Sequence, residues 1–424
     1  MSIGLGLETI QVDYANAFVQ AKLDKPVYVR CPRNYEVPGK VLRLNRNLYG
    51  MRESPLNWFR TLSAGLERIG LRPCPSEPCL FTKKGILVIV YVDDCIFVGR
   101  DKKKIRAEID KLKKDFHLDE EEDMAGFLGV QIEDLPDGGK MLTQTGLTDR
   151  IIQALKLTDA NTKETPAEHG ALDKDKNGTP FDHAWNYRSV LGMMSYLAMN
   201  ARCDIAFAVN QCARFCANPT MKHATAMKRI GKYLKKTKKK GMIMKPSKDL
   251  TLDLYVDADF AGLWSYEDPH DPSCVKSRTG YVITLGNVPI VWKSKLQEQV
   301  ALSTMEAEYI AASVAMRELL PMRRILTYIC DELDIERPKE STISTVWEDN
   351  SAALSVMQAP LPKITPRSKH FAVKLHWFKS HLGEAGGNKI FAKKIDTKDQ
   401  KADIFTKGLR TDDFQRIRRF LLGW

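Results

Sequence analysis

The sequence has no apolar run near the ~20 residues that cross a bilayer, so no transmembrane helix is expected. Its nine cysteines form no CxxC pair, and Cys212 and Cys216 are the nearest helical neighbours. An odd count without paired spacing argues against both zinc and a disulfide framework, and reduced intracellular thiols are the expectation. The opening residues, MSIGLGLETI, lack a basic stretch leading into a long apolar one, so no secretory signal is expected. No internal repeat is visible. What is present is ordinary for a folded protein: 424 residues, 43% hydrophobic and 28% charged, with a formal net charge of +12. That length is enough for two or three domains with real cores. The basic balance points weakly to a polyanionic partner.

Three regions emerge along the chain. Residues 1–160 alternate short strands and helices. Residues 103–116, KKIRAEIDKLKKDF, carry apolar side chains at helical spacing. Residues 133–144 read as a hairpin turning at Asp137-Gly138-Gly139. Residues 161–186 are polar, with Gly and Pro, and read as a linker or surface loop. Residues 187–242 are helical and end in a strongly basic stretch. There Met227, Ile230 and Leu234 make the buried stripe, and Lys228, Lys232, Lys235 and Lys236 share one face. A solvated face is the plain reading of those lysines. Beside a nucleic-acid enzyme they would neutralise duplex phosphates. From 249 onward several strands precede mixed strands and helices, which suggests a separate α/β domain. A long helix is expected over 304–332, a strand at STVWED, and helices near 351–358, 367–382 and 400–422.

Two adjacent carboxylates, Asp93 and Asp94, interrupt the apolar run ILVIVYVDDCIFVG (86–99). Burying unpaired carboxylates side by side is costly, because desolvation and mutual repulsion both act against them. A hairpin turn presenting them to divalent cations removes that cost, and oxygen ligands suit Mg²⁺. A plain surface turn is the alternative, but the turn has no Gly or Asn. Asp13, at the end of an apolar strand, is a candidate third ligand; alone it would be a cap or turn residue.

In the last region four acids recur at element ends. Asp257 lies in YVDADFAG, Glu308 early in the long helix, Asp349 at the end of a strand, and Asp403 where the last helix opens. Each alone would be a surface acid. Their order resembles the ribonuclease H fold, which implies four carboxylates holding two Mg²⁺ that cleave the RNA of an RNA–DNA hybrid. Glu308 is preferred to Glu306 because the Tyr-Ile-Ala-Ala after it resembles that family's helix. Asp349 is preferred to Glu348 because its place before Asn350 resembles that family's pattern. Asp259 is expected to cap or hydrogen-bond nearby.

YVDD resembles the metal-binding hairpin of reverse transcriptases, and the motif order resembles the copia-type family of long-terminal-repeat retrotransposon polyproteins. QVDYANAFVQAKLDKPVYVRCPRNYE resembles that family's first catalytic motif. LNRNLYGMRESPLNWF resembles its template- and nucleotide-contacting motif. FLG with MLTQTGLTDRII resembles the segment entering the thumb, and YRSVLGMMSYLAMNARCDIAFAVNQCARFCANPT the connecting helices. The resemblance covers nearly the whole chain. It implies a multidomain α/β and α+β architecture: palm and start of thumb over 1–160, a linker and helical connection over 161–248, and an RNase H-like domain over 249–424. The implied function is RNA-directed DNA polymerase with RNase H activity. The implied partners are an RNA template, a DNA primer, the hybrid and deoxynucleoside triphosphates, with two Mg²⁺ (or Mn²⁺ in their place) in each site.

By the same resemblance Asp13, Asp93 and Asp94 are the polymerase carboxylates, and Phe18 an aromatic gate against the ribose 2′-hydroxyl. Phe18 would otherwise be plain core packing. Tyr91 and Val92 would lie beside the primer end, and Arg52 would contact template or nucleotide. Glu53 stands where the family usually has Gln. His370 and His376 match a family motif, whereas His381 has no match. A fingers segment would precede Asp13 in the family, so the chain reads as a fragment of a polyprotein or a decayed copy. The implied place of action is intracellular, in a cytoplasmic particle or the nucleus. The rival expectations are an inactive nucleic-acid-binding remnant, a chain active only as RNase H, and an unrelated Mg²⁺ phosphohydrolase.

Overall fold

The β-branched runs ILVIVY and DCIFVG form adjacent antiparallel strands, Ile86–Tyr91 and Asp94–Gly99. The protein's computed structural model describes residues 1–121, 126–359, 372–384 and 389–424. These fall into two units, one of Met1–Phe127 with Met322–Glu336, the other of Leu128–Pro321 with Arg337–Trp424. No helix among the described residues is long and apolar enough to cross a membrane.

In the first unit six antiparallel strands run in the order Arg72–Cys74, Glu77–Lys83, Ile86–Tyr91, Asp94–Gly99, Glu8–Tyr14, Leu118–Glu121. One face, with Val12, Tyr14, Val88 and Phe97, packs on helices Ser54–Arg68 and Lys102–Leu112 through Trp58, Leu62, Ile105 and Ile109. The other face, with Leu80, Leu87, Ile96 and Val98, meets Ile325, Tyr328, Ile329 and Leu333. Both faces are therefore covered, which is why the central strands are apolar at successive positions instead of alternating. Each large aliphatic buried there contributes roughly 1.5–3 kcal/mol.

The first helix of the expected pattern starts where Asp101 accepts bonds from the Lys103 and Lys104 amides. It ends at Leu112, short of 116, because Phe116 turns back to pack edge-on against Tyr14 and Trp58 at 5.6 and 5.8 Å. Gly65 makes room for it: a Cβ there would come within 2.4 Å of the Phe116 ring. A separate two-stranded sheet joins Lys22–Val29 to Leu42–Arg46.

The second unit holds a five-stranded sheet in the order Val288–Leu296, Arg278–Leu285, Leu252–Asp259, Ser344–Glu348, Ile390–Lys394. The first three strands are antiparallel, and Ser344–Glu348 runs parallel to both its neighbours. Helix Thr304–Glu332, with Pro321 inside it, occupies the expected long-helix span; its residues up to Pro321 belong to this unit and those from Met322 to the first. Helices Thr145–Ala154, Tyr187–Asn200, Ala206–Ala213, Met221–Lys236 and Thr411–Leu422 share one core with Tyr255 and Val282 of the sheet. The expected hairpin pairs Val130–Asp134 with Lys140–Thr143 and turns at Asp137–Gly139, with Gly138 at φ 81°.

Residues 161–186, expected to be a linker or surface loop, contain no helix or strand and form a strap tied down at several points. Phe181 and Trp185 enter the core, Lys222 pairs with Asp173 at 2.7 Å, and Arg214 donates to the Leu172 carbonyl. The span 400–422 is not one helix: a 3-10 turn, Lys401–Phe405, precedes helix Thr411–Leu422. The break sits at Gly408, whose Cα faces the strap so closely that a Cβ would lie 2.0 Å from the Glu168 carbonyl. Of the helix expected near 367–382, Ala372–Lys379 is described, and His370 lies outside the described residues.

Candidate functional site

Asp13 and Asp94 are direct register partners on neighbouring strands, and Asp93 stands in the turn beside them. Val92 takes φ 56°, a left-handed conformation that a β-branched residue adopts only under strain. Two bonds hold the turn. The Trp58 indole N–H donates to the Val92 carbonyl at 2.5 Å, and the Tyr14 amide donates to the Asp93 carbonyl at 3.0 Å. Burial raises the Asp13 carboxyl, and the charges of Asp93, Asp119 and Glu121 raise it further. Burial likewise raises Asp94, with Asp93 and Asp13 adding and a bond to the Gln11 side chain opposing.

Phe18 lies on the short helix Ala17–Gln20, half-buried against the core. Its ring meets that of Tyr49 at 4.5 Å and 38°. Tyr49 was not singled out by its sequence, although it sits inside the LNRNLYG motif. Burial raises its phenol, followed by the Asp93 charge, while a bond from the Phe18 backbone opposes and Asp13 adds. Tyr91 and Arg52 are exposed, open to a ligand.

In the second unit Asp257, Glu308 and Asp349 each offer an oxygen within 4.8 Å of the others. Asp257 and Glu308 are buried, and Asp349 half-buried. Asp403 is buried too, in the 3-10 turn, and Lys407 lies 2.9 Å from its Oδ1 and 3.8 Å from Asp257 Oδ2. The Thr406 hydroxyl donates to Asp257 Oδ2. Burial pushes Glu308 far above the carboxylate range, and Asp257, Glu348 and Asp349 add repulsion. Asp403 is raised by burial and then by Asp257, with Lys407 opposing. Burial disfavours the Lys407 charge, but Asp257 and Asp403 outweigh it and raise its pKa.

Glu348, passed over in favour of Asp349, is also fully buried. Burial is the main cause of its raised pKa; its bond from the Asn350 amide opposes, and Asp349 and Asp257 add. Adjacent residues at a strand end both reach this region, which the sequence pattern alone does not resolve. Glu306 is a local residue, accepting from the Leu302 amide at 2.9 Å. Asp259 rises to about 6 through burial and then Asp257, with Lys407 and Arg278 opposing.

Buried oxygens Glu308 Oε2 and Glu348 Oε2 have no hydrogen-bond partner among the described residues. Orphaned acceptors beside converging carboxylates fit a hard divalent cation such as Mg²⁺. Among the described residues, the ligand atoms of Asp13, Asp93 and Asp94 do not gather as tightly as the Asp257 group.

The expected lysine stripe is divided. Lys235 donates to the Thr158 and Ala160 carbonyls, and Lys236 pairs with Glu164. Lys228 and Lys232 are half-buried on the same helix, Met221–Lys236. His376 is exposed, and His381 bonds the Trp377 carbonyl through Nδ1.

Residues 5–169 match the family described as reverse transcriptase (RNA-dependent DNA polymerase). Over 99% of its length the chain is 31% identical to a retrovirus-related Pol polyprotein from transposon TNT 1-94 of Nicotiana tabacum, of which it covers 31%. Over 96% it is 31% identical to the corresponding polyprotein from transposon RE1 of Arabidopsis thaliana, of which it covers 27%. The chain thus spans under a third of the length of these plant relatives. A putative transposon Ty5-1 protein of Saccharomyces cerevisiae is 28% identical over 73% of this chain and is matched along its full length. Among solved structures, the N-terminal RNase H domain of rv2228c from Mycobacterium tuberculosis covers 40% of this chain and 97% of its own, at 10% identity and a TM-score of 0.25. LC11-RNase H1 in complex with RNA/DNA hybrid covers 37% of this chain and 94% of its own, at 17% identity and a TM-score of 0.24. At such scores these likenesses add nothing to the strand order and acids already described.

Proposed function

We propose that the chain, whose residues 5–169 match the reverse transcriptase family and which is similar along nearly its whole length to Pol polyproteins of plant transposons, copies RNA into DNA and cleaves the RNA of the resulting hybrid. The observation that carries this reading is the convergence of Asp257, Glu308 and Asp349 within 4.8 Å, with Asp403 buried beside them. These four residues would hold Mg²⁺ for RNA cleavage, and Asp13, Asp93 and Asp94 would hold it for DNA synthesis. When bound, such ions activate the attacking oxygen and stabilise the leaving one.

The chain's own groups prepare both sites. Trp58 and Tyr14 hold the strained Asp93 turn in place, so the paired acids are presented without reorganisation. Phe18 sits as the gate that rejects a ribose 2′-hydroxyl, Tyr91 beside the primer end, and Arg52 toward template or nucleotide. Thr406 and Lys407 fix the orientation of Asp257 and Asp403. Lys228 and Lys232 offer positive charge to duplex phosphates, whereas Lys235 and Lys236 are already engaged within the chain. The substrates on this reading are an RNA template, a DNA primer, deoxynucleoside triphosphates and the RNA–DNA hybrid. The place of action is a cytoplasmic particle or the nucleus.

A second reading, activity as RNase H alone, is favoured by one observation: the tightly gathered acids lie in the second unit. The test is Mg²⁺-dependent cleavage of labelled RNA in a hybrid. Cleavage by the native chain, absent in Asp349→Asn and absent on single-stranded RNA, is the expected result. Equal cleavage by Asp349→Asn would remove the acid cluster from the account.

A further inference from the structure

We infer that Tyr49 determines nucleotide specificity as the backstop of the Phe18 ring, so that rejection of a ribonucleotide depends on the stacked pair and not on Phe18 alone. This rests on the proposed polymerase reading of the Asp13–Phe18 segment. A gate works by refusing to move, because the penalty against a 2′-hydroxyl is the cost of displacing the ring it strikes. Phe18 is poorly placed to resist by itself. It lies on a four-residue helix, Ala17–Gln20, whose N-cap Asn16 is in the left-handed conformation. It is only half-buried, and it packs on the periphery of the core.

Tyr49 supplies the missing support. Its ring contacts that of Phe18 at 4.5 Å, so the two form one aromatic wall. Tyr49 is 49% exposed, which leaves a face of that wall open to a ligand.

The loop that carries Tyr49 is held by a buried polar anchor. Asn47 is 1% exposed, and its side chain amide donates to the Lys22 and Ala21 carbonyls at 2.8 and 3.2 Å. Its Oδ1 accepts from Asn57 Nδ2 at 3.2 Å and Ser54 Oγ at 3.3 Å. Ser54 also donates to the Leu48 carbonyl at 2.8 Å. Every polar group of Asn47's side chain is thus used to tie the loop both to the residues just after Phe18 and to the start of helix Ser54–Arg68. Gly50, at φ 91°, then turns the chain directly after Tyr49. The sequence NLYG is built to deliver one ring to a fixed position.

The test compares kcat/KM for a deoxynucleoside triphosphate and its ribonucleotide counterpart in primer extension by the full chain. The variants are Tyr49→Ala, Tyr49→Phe, Phe18→Ala and the double variant Phe18→Ala/Tyr49→Ala. Tyr49→Ala is expected to raise the ribo/deoxy ratio by about tenfold or more, and Tyr49→Phe, which keeps the ring, to stay within about twofold. The double variant is expected to match Phe18→Ala, since the backstop has nothing left to hold. If Tyr49→Ala slows both nucleotides equally and leaves the ratio unchanged, Tyr49 is merely structural and the inference fails. If Tyr49→Ala does not fold, Tyr49→Leu makes the same comparison, with volume kept and the flat ring lost. Absence of any extension by the native chain would overturn the polymerase reading itself, and the inference with it. That outcome is distinct from an active native enzyme whose Tyr49 variants discriminate normally.

Discussion

Replacing Glu308 with Gln should make the metal-free protein less sensitive to rising pH. Glu308 is buried and raised far above the carboxylate range, first by desolvation and then by Asp257, Glu348 and Asp349. Below the unfolded-state pKa the carboxyl is protonated in both states, and its contribution to stability is intact. As pH rises, the unfolded chain ionises first while the folded chain keeps the proton, so stability is lost steadily up to the folded pKa. The loss is about 1.4 kcal/mol per pH unit, or roughly 2–3 kcal/mol between about pH 5.5 and 7.5. For a chain of 424 residues that is a fall in Tm of roughly 2–4 °C. Gln keeps the shape and removes the proton exchange. Some slope remains in the variant, because Glu348 and Asp403 are raised in the same sense. Thermal unfolding in EDTA at a series of pH values reads the difference. Added Mg²⁺ should restore the native protein at the higher pH and do little for the variant. Parallel curves for the two proteins would refute the reasoning, because Glu308 would then not be a strained acid.

Trp58→Phe removes the donor to the Val92 carbonyl, and should cost about 1–2 kcal/mol by denaturant unfolding and slow primer extension. Gly408→Ala forces the strap away from the Asp403 turn, and should lower Tm and RNA cleavage together, with a loss of roughly 2–4 kcal/mol. Arg202→Met leaves Asp204 buried without its partner at 2.8 Å, and should destabilise the chain by roughly 3–5 kcal/mol in the same unfolding assay.

Much of the site was legible because chemistry forces it into the sequence. Two acids within ILVIVYVDDCIFVG stand out against the apolar run around them, and the structure shows why the flanking residues are apolar: helices cover one sheet face and residues 325–333 the other. Asp257, Glu308 and Asp349 were legible because each sits at or near the end of a recognisable element. Glu348 was not, since adjacent acids at a strand end differ only in which way they face. Tyr49 was hidden because its partner Phe18 is distant in sequence, and no periodicity marks a contact between a short helix and a loop. The partners of the lysine stripe were hidden for the same reason. Helical spacing shows which lysines share a face, but the groups that engage Lys235 and Lys236 come from residues 158–164. The anchors of the strap at 161–186 were hidden because they are scattered single residues instead of a repeating pattern.

The most direct test follows primer extension and RNA cleavage together, on a labelled RNA–DNA substrate with Mg²⁺ and deoxynucleotides. The account predicts that Asp94→Asn abolishes extension and spares cleavage, while Asp349→Asn abolishes cleavage and spares extension. A folded native chain showing neither activity, or one acid substitution silencing both, would contradict the claim that this chain carries two separate carboxylate sites.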